Sequence, residues 1–136
     1  MYIDEALKIY LLAQPGLTAL IGRRLYPMRP PQTVDLRTNT AVSMQTISDY
    51  KNHILTGQIA EESPKKQWTV FAPTQLEAFD IAKQIKLALI DFEGSMSGII
   101  IQYIKLINEI PSIETSPDGT VSVHTVDLEF GITYTK

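Results

Sequence analysis

The chain contains no cysteine, and this excludes disulfide bonds and thiolate zinc sites. It has no apolar run near the ~20 residues that a membrane-spanning helix needs. Acidic Asp4 and Glu5 stand where a secretory signal would carry basic residues. We therefore expect a soluble protein that is made in the cytoplasm and has no contact with a membrane.

Residues that carry chemistry are also sparse. The two histidines, His53 and His124, have no metal-spaced partner near them in the sequence. The run 94–98 is too weak for a nucleophile elbow, because Met96 occupies the position of the serine. There is no phosphate-binding glycine loop and no dinucleotide fingerprint. We expect no enzyme, no metal and no cofactor, and a net charge of −3 gives no general attraction to nucleic acid.

What the chain does have is the composition of a globular protein. Its 136 residues are 44% hydrophobic and 20% charged, enough for one hydrophobic core. We expect a single domain over residues 1–136.

Two short helices are predicted at the N-terminus. Asp4 is placed to cap the first, which presents one apolar face formed by Ala6, Leu7, Tyr10 and Leu11. Pro15 suits the first turn of the second helix, and Gly22 suits its end because glycine adopts a positive φ without strain.

An irregular basic arm follows the second helix. It holds all four arginines of the chain, interleaved with prolines that prevent helix and central-strand formation: Arg23, Arg24, Arg29, Arg37, Pro27, Pro30 and Pro31. Arginines concentrated on such an arm indicate contact with a partner protein.

The middle of the chain predicts two strands separated by a long loop. Residues 41–47 and 66–72 alternate in the manner of strands. Residues 48–66 show no sustained period and contain Gly57 and Pro64, and we predict a mobile loop there.

The main helix is predicted to begin at a capping box formed by Thr74 and Glu77 and to run to about Asp91. One apolar face packs on the sheet. A second apolar stripe needs its own cover, for which we favour the N-terminal helices over a neighbouring subunit: Leu76, Phe79, Leu87 and Ile90.

The last two strands complete the predicted sheet. Residues 98–110 have apolar side chains on both faces, and the final strand alternates strictly from Val126 to Tyr134. The alternation changes parity between Val123 and Val126, which predicts a β-bulge or a strand end that faces a partner. The predicted fold is α+β, with an antiparallel four-stranded sheet packed against one long helix and short N-terminal helices.

Several short motifs resemble one family. They are the run from Ala6 through Pro15-Gly16 to Tyr26-Pro27 and Pro31-Gln32, the stretch Trp68–Ala72 with Thr74 and Glu77-Ala78, then Phe92-Glu93-Gly94, Gly98-Ile99 and Asp127–Phe130. Together they are similar to the small tail-completion (tail-terminator) proteins of long-tailed bacteriophages. The arm from Thr33 to Thr40 departs from that family's pattern.

The resemblance implies a structural virion protein. It would form a hexameric ring that ends the tail tube and joins it to the head connector, while DNA passes through without specific binding. The alternatives are a head-closure or adaptor protein of the neck and, from another class, a small hydrolase.

Ring formation requires two different patches that meet on adjacent subunits. The candidate contact residues come from the arginine arm, the predicted loop and the last two strands: Arg23, Arg24, Tyr26, Arg29, Arg37, Tyr50, His53, Lys65, Lys66, Ile99, Ile101, Tyr103, Val121 and Val123.

Overall fold

The computed structural model describes residues 2–27, 39–53, 59–90, 92–115 and 122–135. For residues 48–53, 59–63 and 122 it describes the backbone and not the side chains. In chain order its elements are α1 (Ile3–Leu12), α2 (Pro15–Ile21), β1 (Leu25–Pro27), β2 (Ala41–His53), β3 (Ile59–Ala72), α3 (Gln75–Leu89), β4 (Gly94–Met96), β5 (Ile99–Thr115) and β6 (Ser122–Thr135).

The sheet corrects the predicted fold. Six strands form one curled sheet in the order β1-β2-β3-β6-β5-β4, and β1 runs parallel to β2 while the other neighbours are antiparallel. The prediction of a four-stranded antiparallel sheet on one long helix is therefore wrong. It missed β1 and β4, which have three residues each and show no period. It also overstated α3, a helix of 15 residues.

The predicted loop over residues 48–66 is also largely replaced by strand. β2 continues to His53 and pairs antiparallel with β3 from Ile59 onward. The pairing of the two strands has a register shift between Thr46 and Ser48, and a shift of this kind interrupts a strict alternation along the sequence. The mobility of the segment stays a prediction, and residues 54–58 lie outside the described part of the chain.

Signals were predicted for three helix ends, and two of them agree with the structure. Gly22 ends α2 with a φ of 61°, and the Thr74 hydroxyl accepts from the Glu77 backbone N–H at 3.2 Å to cap α3. The first helix differs. Tyr2 is its N-cap residue, without a side-chain cap bond, and Asp4 lies in the first turn.

The core lies between the sheet and the helices. α3 packs on β3 and β6 with a buried face formed by Ala78, Ile81, Ala82, Ile85 and Leu89. The even-numbered residues of β6 from Val126 to Tyr134 are buried, as predicted. At the centre the rings of Trp68 and Phe130 meet edge to face, with centroids 5.4 Å apart.

The second stripe of α3 is not covered by the N-terminal helices. Leu76 and Leu87 are 71% and 68% exposed, and Phe79 and Ile90 are exposed as well. The cover that we favoured is wrong because α1 and α2 pack elsewhere on the helix, where the Tyr10 hydroxyl donates to the Ala88 carbonyl at 2.7 Å.

Candidate assembly surfaces

Arg24 is anchored within its own subunit. Its Nε donates to the Thr40 carbonyl, and a terminal guanidinium nitrogen donates to the Thr40 hydroxyl at 3.2 Å. That hydroxyl in turn donates to the Leu20 carbonyl at 2.6 Å. Because Thr40 directly precedes β2, these bonds join the end of α2 to the start of the sheet. Arg24 therefore holds the base of the arm in place.

Other parts of the predicted arm are more open. Arg23 is exposed beside a shallow surface hollow that it shares with Lys8, Ile9 and Leu12 of α1. Tyr26 is half-buried in β1 at the edge of the sheet. Arg29 and Arg37 lie outside the described residues.

The two neighbouring lysines of β3 have opposite surroundings. Lys65 is exposed on the face of the sheet away from the helices, across from Gly131 of β6. Lys66 is buried and bonded to Asp4 and to the Thr46 hydroxyl. Lys66 is thus an internal residue of the subunit, and its assignment to a contact surface is corrected.

A bulge decides which side chains of β5 face outward. The pairing with β6 shifts between Ile101 and Tyr103, so that Gln102 has no partner in the register. Before the bulge Ile99 and Ile101 point into the core, where they are 4% and 1% exposed. As candidate contact residues both were expected to face outward, and this expectation is wrong, because period-2 counting along the strand cannot detect a bulge. The outward residues are Ile100 and Tyr103, with Tyr103 49% exposed.

The distal part of β5 carries exposed apolar residues that the candidate residues did not include. Every residue from Ile107 to Thr115 is exposed, among them Ile107, Ile110 and Ile113. A second register shift, between Leu106 and Asn108, leaves Ile107 without a partner on β6. Its side chain lies near Gly131, where a Cβ would come within 3.2 Å of the Ile107 Cδ1. The run of isoleucines in this stretch was the available signal.

A groove separates this distal strand from α3. Phe79 of α3 forms one wall, and Pro111, Ile113 and His124 form the other. Closer to the helix end, Lys86 bonds both carboxylate oxygens of Glu109 at 3.1 Å and bridges the same two elements. The groove is open and mostly apolar, which suits contact with a protein side chain.

The other candidates are dispersed. Tyr50 and His53 belong to the outer part of β2, and Val123 is half-buried on β6. Val121 lies outside the described residues. β6 pairs without a shift from Ser122 onward, so the bulge predicted between Val123 and Val126 is wrong and the bulges lie on β5 instead. The alternative, a strand end that faces a partner, stays a prediction.

Ionisable groups give little indication of a chemical centre. In the described ranges there is no group of three or more metal-ligating side chains. None of the described helices is long and apolar enough to cross a membrane. The pKa of Tyr10 is raised by burial of its phenol beside Phe92. The described surface is notable for exposed apolar residues on α3 and β5.

Comparison with known proteins gives a fold but no family. No protein-family model and no curated protein sequence matches the chain. Among solved structures, a chain from the virion of a native gene transfer agent particle is 19% identical with a TM-score of 0.74, and the match covers 97% of this chain and 93% of that one. Another solved chain, with no stated function, is 10% identical with a TM-score of 0.61 and coverages of 100% and 98%. At these identities the likeness establishes a shared fold.

Proposed function

We propose that this chain is a structural virion protein, and that it forms a hexameric ring that ends the tail tube of a phage-like particle and joins it to the head connector. The observation that carries the proposal is the fold shared along almost the whole chain with a component of a gene transfer agent virion. Gene transfer agents are phage-like particles. The tail-terminator role itself comes from the sequence motifs described above.

The exposed apolar residues support an assembling protein. Isolated apolar side chains on a surface need no explanation, whereas grouped ones mark contact sites. Here they occur on the second stripe of α3 and on distal β5, and one residue of each set, Phe79 and Ile113, lines the groove between the two elements. Two distinct patches are what a ring requires.

The proposed partners follow from the role. They are further copies of the chain, the tail tube protein and the connector or neck proteins, with DNA crossing the ring without specific contacts. The protein would be made in the host cytoplasm and end in the neck of the virion.

A head-closure or adaptor protein of the neck is the second candidate. It is favoured by the same fold likeness, because the neighbour's description names a virion and no position within it. No specific observation favours a hydrolase.

Two measurements test the proposal. Native mass spectrometry and negative-stain electron microscopy of the purified protein, with and without tail tubes, should reveal closed rings that bind one tube end. Tail tubes grown in its absence should exceed the normal length. Tubes of normal length together with failure of head attachment would favour the head-closure role. A protein that stays monomeric and binds neither the tube nor the connector would contradict the proposal.

A further inference from the structure

The face of the sheet away from the helices carries charged side chains in a fixed order along β6. Gly131 is paired with Lys65 of β3 on one side and with Lys105 of β5 on the other, and both lysines are exposed. Two residues earlier on β6, the half-buried Glu129 points to the same face, because alternate residues of a strand do so. The row of the two lysines and the row of this carboxylate are therefore about 7 Å apart along the strand.

Exposed apolar residues lie at both ends of these charged rows. Beyond the lysines, Tyr103 of β5 is 49% exposed opposite Thr133 and lines one surface hollow with both lysines. Beyond Glu129, Ile110 of β5 is 50% exposed opposite Asp127. Together these rows form a surface, the sheet patch, whose order along about 20 Å of β6 is apolar, basic, acidic, apolar.

The exposed side of α3 carries charges in the opposite order. The residues that follow one another at helical spacing on the side away from the core, the helix ridge, are Leu76, Asp80, Lys83 and Leu87, and all of them are exposed. Neither Asp80 nor Lys83 is ion-paired to another described residue. The order along about 16 Å of helix is apolar, acidic, basic, apolar.

We propose that the helix ridge of one copy of this chain docks on the sheet patch of a second copy. The helix then lies along β6 with Asp80 beside Lys65 and Lys105, while Lys83 lies beside Glu129. Charge complementarity fixes the direction of the helix on the strand, because the reversed placement would bring the two carboxylates together and Lys83 to the other lysines.

The apolar ends of the two surfaces supply the contact area. In this placement Leu76 meets Tyr103 and Leu87 meets Ile110, and removing these exposed side chains from water favours association. The two lengths agree, with about 16 Å between the leucines of the helix and about 20 Å between the strand rows of their partners.

The positions of the two surfaces explain why the occupant is a second copy. Both surfaces belong to this chain, and they lie on opposite sides of the subunit, because α3 covers the other face of the sheet. A contact between two different surfaces repeats from copy to copy and closes into a ring, whereas two helix ridges docked on each other would be symmetric and stop at a dimer. The inference rests on the proposed ring and names the surfaces that form it.

Mixing two charge-reversed variants tests the docking. Asp80→Lys alone places like charges at every contact and should weaken association by roughly tenfold, and Lys105→Glu alone should do the same. In an equal mixture the two variants can alternate, so that one contact joins two reversed surfaces and the next joins two native ones. Sedimentation velocity should show the mixture associating about fivefold or more strongly than either variant by itself.

Lys8→Glu is the matched control. It reverses an exposed charge on α1, outside both surfaces, so mixing it with Asp80→Lys should give no gain in association. Because all three positions are exposed, each variant should keep the native circular dichroism spectrum, which separates weaker docking from loss of the fold.

The outcomes separate this inference from the proposed function. Rings by electron microscopy together with no gain on mixing would overturn the docking and leave the ring intact. Unchanged association of Lys105→Glu together with weaker binding of duplex DNA would assign the lysines to DNA and overturn the docking as well. A protein that stays monomeric at high concentration and on tail tubes would overturn both the docking and the ring.

Discussion

The Lys66 ammonium group donates to the Asp4 carboxylate and so joins the middle of β3 to the first turn of α1. It also donates to the Thr46 hydroxyl on β2. Only 3% of Lys66 is exposed, whereas 54% of the Asp4 side chain is. A buried cation is thus balanced by a carboxylate at the surface, and one side chain connects three elements.

Neutralising Asp4 should destabilise the fold by leaving this cation poorly compensated. Asp4→Asn is expected to lower the free energy of unfolding by about 1–3 kcal/mol, with solvent access to Asp4 limiting the loss. Lys66→Met, which removes the charge and keeps an apolar stem, should cost less. Denaturant unfolding of both variants and of the double variant measures the coupling. Additive effects would show that the ion pair contributes nothing.

Arg24 should act on stability and not on assembly. Arg24→Ala removes the bonds to the carbonyl and hydroxyl of Thr40, and we expect a loss of about 1–3 kcal/mol in the free energy of unfolding. Arg23→Ala is the matched control, because Arg23 is exposed and has no such bond to a described residue. Thermal unfolding and head–tail joining measured on both variants test the assignment. If Arg24→Ala impairs head–tail joining while the melting temperature stays unchanged, Arg24 is a contact residue and the assignment is wrong.

Glutamate introduced at neighbouring positions of β5 should have different effects. Ile101 is 1% exposed, so Ile101→Glu buries a charge and is expected to prevent folding. Tyr103→Glu places the charge on the exposed face and should leave the circular dichroism spectrum unchanged while weakening association by roughly tenfold or more. Sedimentation velocity over a concentration series measures the association. If the Tyr103→Glu variant associates as strongly as the native protein, this face of β5 is not part of the interface.

Tyr10 should make stability depend on alkaline pH. Burial raises its pKa above the ordinary value of 10.0, so the folded state disfavours the phenolate. The stabilisation is complete below that value and is lost as the pH rises through the raised pKa. Tyr10→Phe should cost about 1 kcal/mol at neutral pH through the lost bond to Ala88. Urea unfolding measures the free energy of unfolding of both proteins, and the difference between them should become smaller above pH 10. A difference that stays constant with pH would contradict the role given to Tyr10.

The elements with strong local signals were correctly predicted from the sequence. Four such features are the Thr74 cap, the end of α2 at Gly22, the buried face of α3 and the alternation of β6. Each depends on residues that are close together in the sequence, within one helix or one strand. Such signals are available in the order of residues because helices and strands have fixed periods.

Other features depend on contacts between residues far apart in the chain. The strands β1 and β4 have three residues each and exist only because β2 and β5 lie beside them. The bulges at Gln102 and Ile107 exchange the faces of β5, and only the register with β6 reveals them. The same holds for Lys66, whose partner Asp4 is 62 positions away and whose neighbour Lys65 remains exposed.

The sequence alone determined the helices, the end of α2, the start of α3, the core face of the last strand and the motifs that resemble tail-terminator proteins, because these follow from local periodicity and residue type. The tertiary structure alone decided the number and order of the described strands and which face of β5 is buried. These features depend on pairing across the sheet, where one shifted residue moves every later side chain to the opposite face.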